Sequence, residues 1–352
     1  MSQQPITSPD IRLISAEELS FFLKENGESA FRQKQISEWL WKKGAINFDE
    51  MTNLSLILRE KLKSSFTFKA AAISQERQSN DGTAKFVFTL HDGHKIEGVL
   101  IPSNDRVTTC VSSQVGCALA CGFCATGTMG FTRNLHATEI WDQFILMNRR
   151  SVELYGKEVT NIVYMGMGEP LLNYDNVLES IRLLTTDTGK GLSPSRITLS
   201  TVGITQGIRQ LADDGFKAGL AVSLHTADEQ VRKEIMPVTK TNSLDELRQA
   251  LQYFVGKTGS RITFEYVMLS GINDSLRDAE KLAQYCKSFP VKINIIEYNR
   301  TDSDFRGSIP QAKETFVRFL ENRNLIVNIR KSKGEDIDAA CGQLVEKSRK
   351  SR

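Results

Sequence analysis

The stretch CVSSQVGCALACGFCATG, residues 110–127, contains four of the six cysteines of this 352-residue chain. Three of them, Cys117, Cys121 and Cys124, have the spacing C-x3-C-x2-C, which random placement of six cysteines would seldom produce. A closed zinc site usually takes four ligands in two separated pairs, and the second pair is missing here. A cubane iron–sulfur cluster also accepts four ligands, so three thiolates leave one iron open to a small molecule. The spacing therefore favours an iron–sulfur cluster with an open iron.

The composition is that of an ordinary globular protein, with 40% hydrophobic and 25% charged residues and a net charge of +3. The polar start, MSQQPITSPD, does not resemble a signal peptide, and no apolar run approaches the roughly 18 residues that a membrane span needs. We expect a cytoplasmic protein with no membrane partner. A reducing cytosol argues against structural disulfides, so metal binding or redox chemistry is the default role of the cysteines.

Residues 1–70 are predicted to form a small helical domain. SAEELSFFLKENG opens with Ser15 and Glu18 at capping-box spacing, and two further stretches carry apolar residues three and four positions apart. Basic residues accompany Trp39 and Trp41, namely Arg32, Lys34, Lys42, Lys43, Arg59, Lys61 and Lys63. Two interpretations are open for this domain: a nucleic-acid surface, or solvated helix faces around buried tryptophans.

Residues 71–105 are predicted to form a β-hairpin connector, with its turn at Asp92-Gly93. From residue 106 to 345, strand patterns alternate with amphipathic helix patterns, which indicates a parallel sheet built from βα units. The strand candidates are VTTCV, VTNIVYM, RITLST, AGLAVSL, ITFEYVM, VKINIIE and LIVNIR. Residues 346–352 are predicted to be a disordered basic tail.

Polar motifs decide between an open doubly wound sheet and a barrel. GMGEP, STVG, SLHT and EYN each follow a different predicted strand, as barrel active sites require. We therefore predict an α/β fold with a partial barrel of about six strands. The cysteine spacing in front of such a barrel resembles the radical S-adenosylmethionine superfamily, and the predicted fold is a partial (β/α)6 barrel of that type.

The motif GMGEP supports the same resemblance. A dinucleotide-binding fingerprint would need glycine at position 171, where this chain has Leu171. The motif instead looks like the glycine-rich cofactor motif of the superfamily, with Gly168 and Glu169 placed to receive the methionyl amino group of S-adenosylmethionine. Strand-end residues that fit the same role are Ser200, Ser223, Leu224, His225 and Asn299.

SSQVGCALACGFCATG, GMGEPLLN, LSPSRITLSTVGI and GEDIDAACGQL together closely resemble the RlmN-type RNA adenine methyltransferases, over about residues 15–345. The resemblance implies a [4Fe–4S] cluster on Cys117, Cys121 and Cys124, and two molecules of S-adenosylmethionine used per turnover. The implied substrates are an adenosine of 23S ribosomal RNA, methylated at C2, and an adenosine in the anticodon loop of transfer RNA.

The resemblance also assigns catalytic roles. Cys341 would carry a methyl group on its sulfur, Cys110 would later displace that sulfur as a disulfide, and Glu97 would accept the proton of the base. It implies an external electron donor, a thiol reductant and a monomer. Cys286, with no motif around it, is assigned to packing.

Two alternatives are open. A Cfr-type enzyme would use the same residues at carbon 8 of the adenosine, although that branch typically has alanine where this chain has Pro170. A non-catalytic iron–sulfur electron carrier would need four protein ligands and no role for Cys341.

Overall fold

Apolar runs bounded by turn residues form the strands of one large sheet, and amphipathic stretches form the helices that cover it. The structure, a computed structural model, describes residues 8–344. In that part of the chain the strands are β1 (Ala72–Gln78), β2 (Ala84–Thr89), β3 (Lys95–Pro102), β4 (Val107–Cys110), β5 (Gln114–Gly116), β6 (Phe131–Asn134), β7 (Asn161–Tyr164), β8 (Ile197–Thr201), β9 (Gly219–Ser223), β10 (Ile262–Met268), β11 (Val291–Glu297) and β12 (Ile326–Arg330). The helices are α1 (Ala16–Glu25), α2 (Phe31–Ser37), α3 (Leu56–Ser65), α4 (Ala137–Tyr155), α5 (Tyr174–Thr185), α6 (Thr205–Asp213), α7 (Glu229–Ile235), α8 (Leu244–Thr258), α9 (Leu276–Cys286) and α10 (Pro310–Glu321).

Within residues 8–344, ten of these strands form a single sheet in the order β1-β2-β3-β4-β7-β8-β9-β10-β11-β12. Neighbours are antiparallel from β1 to β4 and parallel from β4 to β12. Helices α4 to α10 lie in the connections between the parallel strands, so the sheet contains six βα units. Strands β1 and β12 are the two edges and do not pair with each other, which leaves the barrel open. The predicted fold class, an α/β partial (β/α)6 barrel, is confirmed.

The predicted hairpin is formed by β2 and β3, but it is not a separate element. Strand β3 pairs with β4, so the hairpin extends the barrel sheet. The sequence did not predict β1, because AISQERQ alternates poorly and most of its residues are exposed at the sheet edge. The domain boundaries at residues 70, 105 and 345 stay predictions, and the predicted tail 346–352 lies outside the described residues.

The N-terminal helices form their own small core, as the apolar spacing predicts. The capping box exists: Glu18 N–H donates to Ser15 Oγ at 3.1 Å, and Ser15 N–H donates to the Glu18 carboxylate at 2.7 Å. A π-helical turn, Glu38–Lys42, follows α2. The buried core of this unit consists of Ile11, Leu19, Leu23, Ile36, Leu40, Ala45, Phe48, Met51, Leu54, Leu58 and Leu62.

A buried ion triad fastens this unit to the barrel. Arg12 lies between Asp10, at 2.8 Å, and Asp142 of α4, at 2.5 Å, and all three side chains are about 1% exposed. Asp142 also accepts a hydrogen bond from the Ala71 N–H at 3.0 Å. Removing one member of such a triad would leave a buried charge without a partner, which costs several kcal/mol. The triad therefore holds the helical unit in a fixed place on α4.

Candidate active site

The carboxyl ends of the parallel strands surround a cavity of about 1050 Å³, which we call the cluster cavity. Of the thirteen predicted site residues, ten line it, namely Cys117, Cys121, Cys124, Gly168, Glu169, Ser200, Ser223, His225, Asn299 and Cys341. Cys110, Glu97 and Leu224 lie elsewhere and are described below.

The cysteine loop runs between β5 and β6, which form a short antiparallel ladder at its base. Backbone hydrogen bonds hold the loop: Cys117 N–H donates to the Gly130 carbonyl at 2.8 Å, and Gly122 N–H donates to the Ile235 carbonyl at 3.0 Å. Apolar residues around Cys121 form a separate hydrophobic cluster, including Met236, Val267 and Leu269. Local backbone bonds and packing therefore fix the loop.

The three thiols are close enough to interact electrostatically. Burial, with a smaller contribution from the neighbouring Cys124, raises the pKa of Cys117 to about 11. Burial and the charges of Cys124 and Cys117 likewise raise the pKa of Cys121. Residues 8–344 contain no group of three His, Cys, Asp or Glu side chains arranged to hold one metal ion. Three soft thiolate donors that line one cavity fit a cubane cluster, in which each thiolate binds its own iron.

The glycines of GMGEP are required by close backbone packing. A Cβ at Gly166 would lie 2.7 Å from the Val111 carbonyl oxygen, and one at Gly168 would lie 2.5 Å from Gln114 Cβ. Gly168 also has φ +99°, a conformation that L side chains rarely adopt. The sequence prediction attributed these glycines to approach by a ligand. The structure shows that they let the loop after β7 lie against the segment that leads into the cysteine loop.

Glu169 lies on the cavity wall with its carboxylate held by backbone donors. Its Oε1 accepts from the Leu171 N–H at 3.0 Å, and its Oε2 accepts from the Val202 N–H at 2.9 Å. Burial raises the pKa of Glu169 to about 7 despite these bonds. The carboxylate joins the ends of β7 and β8 and has lone pairs left for a cationic ligand group.

His225 is a neutral imidazole fixed in one orientation. Its Nδ1 accepts a hydrogen bond from the Val267 N–H at 3.0 Å, so the proton is assigned to Nε2. Burial, with a smaller contribution from Arg232, lowers the pKa of His225 to about 3. The ring also contacts Phe123 of the cysteine loop edge-on, at 4.8 Å between centroids. The imidazole can therefore donate one hydrogen bond to a ligand but carries no charge.

Leu224, predicted with Ser223 and His225 as a cofactor contact, has its side chain in the hydrophobic core and does not line the cavity. Its carbonyl accepts from Arg232 Nε at 3.2 Å. Any contact between Leu224 and a cofactor would be through its backbone.

A second cavity of about 660 Å³, the thiol cavity, adjoins the first. Cys110 at the end of β4 and Cys341 both line it, and Cys341, Arg330 and Asn299 line both cavities. Burial, helped by the charge of Cys341 and opposed by Arg330, raises the pKa of Cys110 to about 12. Cys110 and Cys341, 231 residues apart in sequence, are thus brought into electrostatic contact.

Cys341 lies on a segment that we call the strap, residues 331–344. Cys341 is an exposed residue. Desolvation by the surrounding protein still raises the pKa of its thiol, and the charge of Arg330 opposes this. Asn299 donates from Nδ2 to the Cys341 carbonyl at 3.0 Å. Beyond Cys341, the Ala125 N–H donates to the Gly342 carbonyl at 2.8 Å, and Thr126 Oγ1 donates to the Leu344 carbonyl at 2.6 Å. The strap is therefore fastened to the cysteine loop itself.

Glu97 lies on β3 and lines neither cavity. Its carboxylate forms a buried ion pair with Lys85 at 2.9 Å. The strand register pairs Lys85 with Val99 and Val99 with Cys110, so these three side chains lie on one face of the sheet. Glu97 is two residues from Val99 along β3 and therefore lies on the same face. The predicted proton acceptor is thus on the same side of the sheet as Cys110, two residues further toward the carboxyl ends of the barrel strands, where Ser112 Oγ donates to the Glu97 backbone carbonyl at 2.6 Å.

Sequence reasoning missed Arg330 and Glu265. Arg330 donates to Glu265 Oε2 at 3.3 Å and lies between the two cavities, and Glu265 is a buried carboxylate on the wall of the cluster cavity. The sequence contained a signal for both. Arg330 ends a predicted strand, as the other site residues do, and Glu265 interrupts the apolar strand ITFEYVM with a charge.

Among residues 8–344, no helix combines the length and the apolarity that crossing a bilayer requires.

Two family models match the chain. "Ribosomal RNA large subunit methyltransferase N-terminal domain" matches residues 10–67, and "Radical SAM superfamily" matches residues 111–285. The first match covers the helical unit and the second covers the cysteine loop with the strands that follow it.

Relatives and solved structures match nearly the whole chain. A probable dual-specificity RNA methyltransferase RlmN from Cytophaga hutchinsonii is 50% identical, over 96% of this chain and 93% of that protein. The protein of the same name from Flavobacterium psychrophilum is 47% identical, over 97% of this chain and 99% of that protein. The crystal structure of a radical SAM methyltransferase from Sphaerobacter thermophilus superposes with a TM-score of 0.90 at 39% identity, covering 96% of this chain and 99% of that one.

These matches cover both the helical unit and the barrel, and they make the electron-carrier alternative wrong, because the relatives are enzymes. The chain belongs to the RlmN family of radical S-adenosylmethionine methyltransferases, enzymes that methylate RNA and use a [4Fe–4S] cluster and S-adenosylmethionine as cofactors.

Proposed function

We propose that this protein methylates carbon 2 of an adenosine in 23S ribosomal RNA, and an adenosine in the anticodon loop of transfer RNA, through a methylated Cys341. Carbon 2 of adenine is not nucleophilic, so it cannot take a methyl group directly from a sulfonium. A thiolate can, and a thiol beside the cluster cavity is the group such chemistry needs. The dual-specificity names of the relatives support two RNA substrates.

The cofactor sites follow from the residues of the cluster cavity. Cys117, Cys121 and Cys124 would hold the cluster, which together with S-adenosylmethionine supplies a 5′-deoxyadenosyl radical when both are bound. Around the methionyl and adenosyl groups would lie Gly168, Glu169, Ser200, Ser223, Leu224, His225 and Asn299. Glu169 has carboxylate lone pairs for the amino group, and neutral His225 offers one N–H donor.

Cys341 carries the transferred carbon. Its thiolate would take a methyl group from one S-adenosylmethionine, which leaves as S-adenosylhomocysteine. A second molecule would be consumed in removing one hydrogen atom from that methyl group, after which the carbon bonds to C2 of the base and joins protein to RNA. Asn299 holds the backbone of Cys341 at the wall of the cluster cavity throughout.

Release of the RNA uses the other two predicted residues. The joined base would be a radical, so it would give up one electron, back to the cluster, and the C2 proton, to Glu97. The Cys110 thiolate would then attack the Cys341 sulfur: a disulfide forms, the carbon–sulfur bond breaks with its electron pair left on the carbon, and a proton taken up there completes the methyl group of the base. An external thiol reductant would restore both cysteines, and an external donor would supply the electron for the cluster.

One observation carries this proposal: Cys341 borders both cavities, with the three loop cysteines in one and Cys110 in the other. A thiol that must react first with a cofactor and then with a second thiol needs that position. The helical unit of residues 1–70, fixed to α4, would grip the RNA, and the target adenosine would be splayed out of its stack into the barrel mouth. We expect the enzyme to act as a monomer.

The test is mass spectrometry of ribosomal and transfer RNA nucleosides from cells with and without the protein. We expect 2-methyladenosine in both RNA classes only when the protein is present. The Cfr-type alternative gives 8-methyladenosine, and finding only that product would overturn the proposal. A 2-methyl signal confined to ribosomal RNA would remove transfer RNA as a substrate.

A further inference from the structure

Lys85 is a buried cation that the proposed reaction does not use. It lies on β2 and is 7% exposed, and its ammonium contacts two oxygen atoms. One is Glu97 Oε2 at 2.9 Å, and the other is the backbone carbonyl of Asp338 at 3.0 Å. Glu97 is the residue predicted to accept the proton of the base. Asp338 belongs to the strap that carries Cys341.

The strap is held at this end by the turn between β1 and β2 as well. The Gly334 N–H donates to Asp81 Oδ2 at 3.1 Å, and the Asn80 N–H donates to Asp336 Oδ2 at 3.2 Å. These bonds lie on exposed or half-buried polar groups, where water competes with them. The Lys85 bond differs from these two because its donor is a buried ammonium, although the Asp338 carbonyl itself is only partly buried. Asp338 precedes Cys341 by three residues in the strap.

Packing alone does not explain a lysine here. Methionine has a similar length and apolar stem and would fill the site without the desolvation cost of an ammonium. Removal of one partner of a buried pair is costly, but exchange of a whole pair for apolar residues is often neutral. This buried lysine forms an ion pair with a carboxylate and a hydrogen bond with a strap carbonyl. Its role is therefore best explained by the connection that it makes between these two groups.

We propose that Lys85 is a positioning residue that ties the Glu97 carboxylate and the Cys341 strap together, so that proton acceptor and methyl-carrying sulfur meet the target base in one fixed arrangement. The inference rests on the proposed function, because it assigns a task to Lys85 only if Cys341 and Glu97 act as described. Lys85 touches neither substrate nor cofactor in this scheme. Misplacement of a reacting group by about 1 Å can cost about a hundredfold in rate, so one fixing contact matters.

The experiment compares Lys85→Met with Lys85→Arg and with Arg77→Met as a matched control. Arg77 is the register partner of Lys85 on β1, is exposed, and loses the same charge in the variant. Two readouts do not depend on turnover: cluster iron per protein, and the rate at which iodoacetamide alkylates Cys341 in the full-length, cluster-free protein, followed by peptide mass spectrometry. The third is the yield of 2-methyladenosine in one turnover.

We expect Lys85→Met to retain its cluster iron and to be alkylated at Cys341 at least about threefold faster than the parent protein. Its yield of 2-methyladenosine should fall about tenfold or more, while Cys341 is still methylated. Lys85→Arg keeps a donor cation and should restore slow alkylation and part of the product, and Arg77→Met should match the parent protein. If Lys85→Met has the same Cys341 alkylation rate and the same product yield as the parent protein, the inference is wrong. If it instead unfolds, Lys85→Arg decides: a stable, cluster-loaded arginine variant without slow alkylation overturns the inference.

Failure of the proposed function has a different signature. In that case the parent protein itself forms no methylated Cys341 and no 2-methyladenosine, whatever residue occupies position 85. The alkylation rates of the cluster-free proteins can still be compared then, and they test the strap contact by itself.

Discussion

The protein contains two groups of cysteines with proposed functions, and the two groups are built in opposite ways. Cys117, Cys121 and Cys124 lie within eight residues on a loop that backbone bonds and an apolar cluster hold in place. Cys110 and Cys341 come from a barrel strand and from the strap, and only the fold brings them together. Ligands that stay on one cluster can be arranged locally. A thiol that reacts with two partners in succession has to lie where two cavities meet.

The largest difference between the groups should appear on removal of one loop cysteine. In Cys121→Ala the cluster loses a ligand, and we expect essentially all cluster iron and all cleavage of S-adenosylmethionine to be lost. Iron and sulfide analysis of the anaerobically reconstituted protein, with its visible absorption, measures this. Cys286→Ala, a buried core cysteine in α9, is the control and should keep a full cluster. A fully loaded Cys121→Ala would end the distinction between the two groups.

The opposite outcome is expected for Cys110→Ala. The variant should keep its cluster and stall with RNA covalently attached to Cys341, because the thiol that would release the adduct is gone. A gel shift of the denatured protein that ribonuclease removes, and mass spectrometry of the Cys341 peptide, detect it. Adding Cys341→Ala should abolish the adduct and leave the cluster unchanged. Loss of the cluster in Cys110→Ala would refute the division.

A smaller effect is expected at Arg330, which lies between the two cavities. Burial raises the pKa of Cys110 to about 12 and Arg330 lowers it, so the thiolate is scarce below pH 12 and its fraction rises about tenfold per pH unit. Release of RNA from the adduct should therefore accelerate with pH up to the limit of enzyme stability. Arg330→Gln should release RNA about tenfold more slowly at each pH. Rapid-quench measurement of adduct decay tests both statements, and a decay rate independent of pH would contradict them.

The smallest effect concerns the locally fixed cysteine loop, whose Phe123 contacts the ring of His225. Burial lowers the pKa of His225 to about 3, below its unfolded value of 6.5, so unfolding takes up a proton in acid. The stabilisation by neutral His225 is complete above pH 6.5 and is lost progressively as the pH falls toward 3. Between pH 7 and pH 5 this costs about 2 kcal/mol.

His225→Asn removes this loss, and asparagine tolerates the left-handed conformation, φ +59°, that His225 adopts. Urea unfolding at pH 7 and pH 5 gives the free energy of unfolding of both proteins. The parent should lose about 2 kcal/mol more than the variant over this interval, since the other three histidines are common to both. Equal losses in the two proteins would show that His225 is protonated in the folded state.

Much of the fold and of the cluster cavity could be predicted because those features are local in sequence. The spacing of the loop cysteines, the capping box at Ser15 and the polar residues that end successive strands each depend on a few neighbouring positions. The carboxyl ends of parallel strands meet at one edge, so the prediction that these residues converge needed no knowledge of side-chain contacts.

Features set by long-range contacts could not be predicted in the same way. The Glu97 carboxylate pairs with Lys85, and Lys85 in turn contacts the strap, which is more than 230 residues later in sequence. Leu224 has the right position in a strand-end motif, but its side chain turns into the core. Nothing in the sequence of β1 distinguishes an exposed edge strand from a loop. The joint lining of two cavities by Cys341 exists only in three dimensions.

The open sheet gives the two reacting thiols an unusual geometric relation. Cys110 lies at the end of β4, and the strap with Cys341 leaves the end of β12, six strand-to-strand steps away in the same sheet. The sheet has to curve through all six steps for the two thiols to line one cavity. The hydrogen bonds of the strap to Lys85 of β2 and to Ala125 of the cysteine loop then set the width of the remaining gap, across which the proposed disulfide would form.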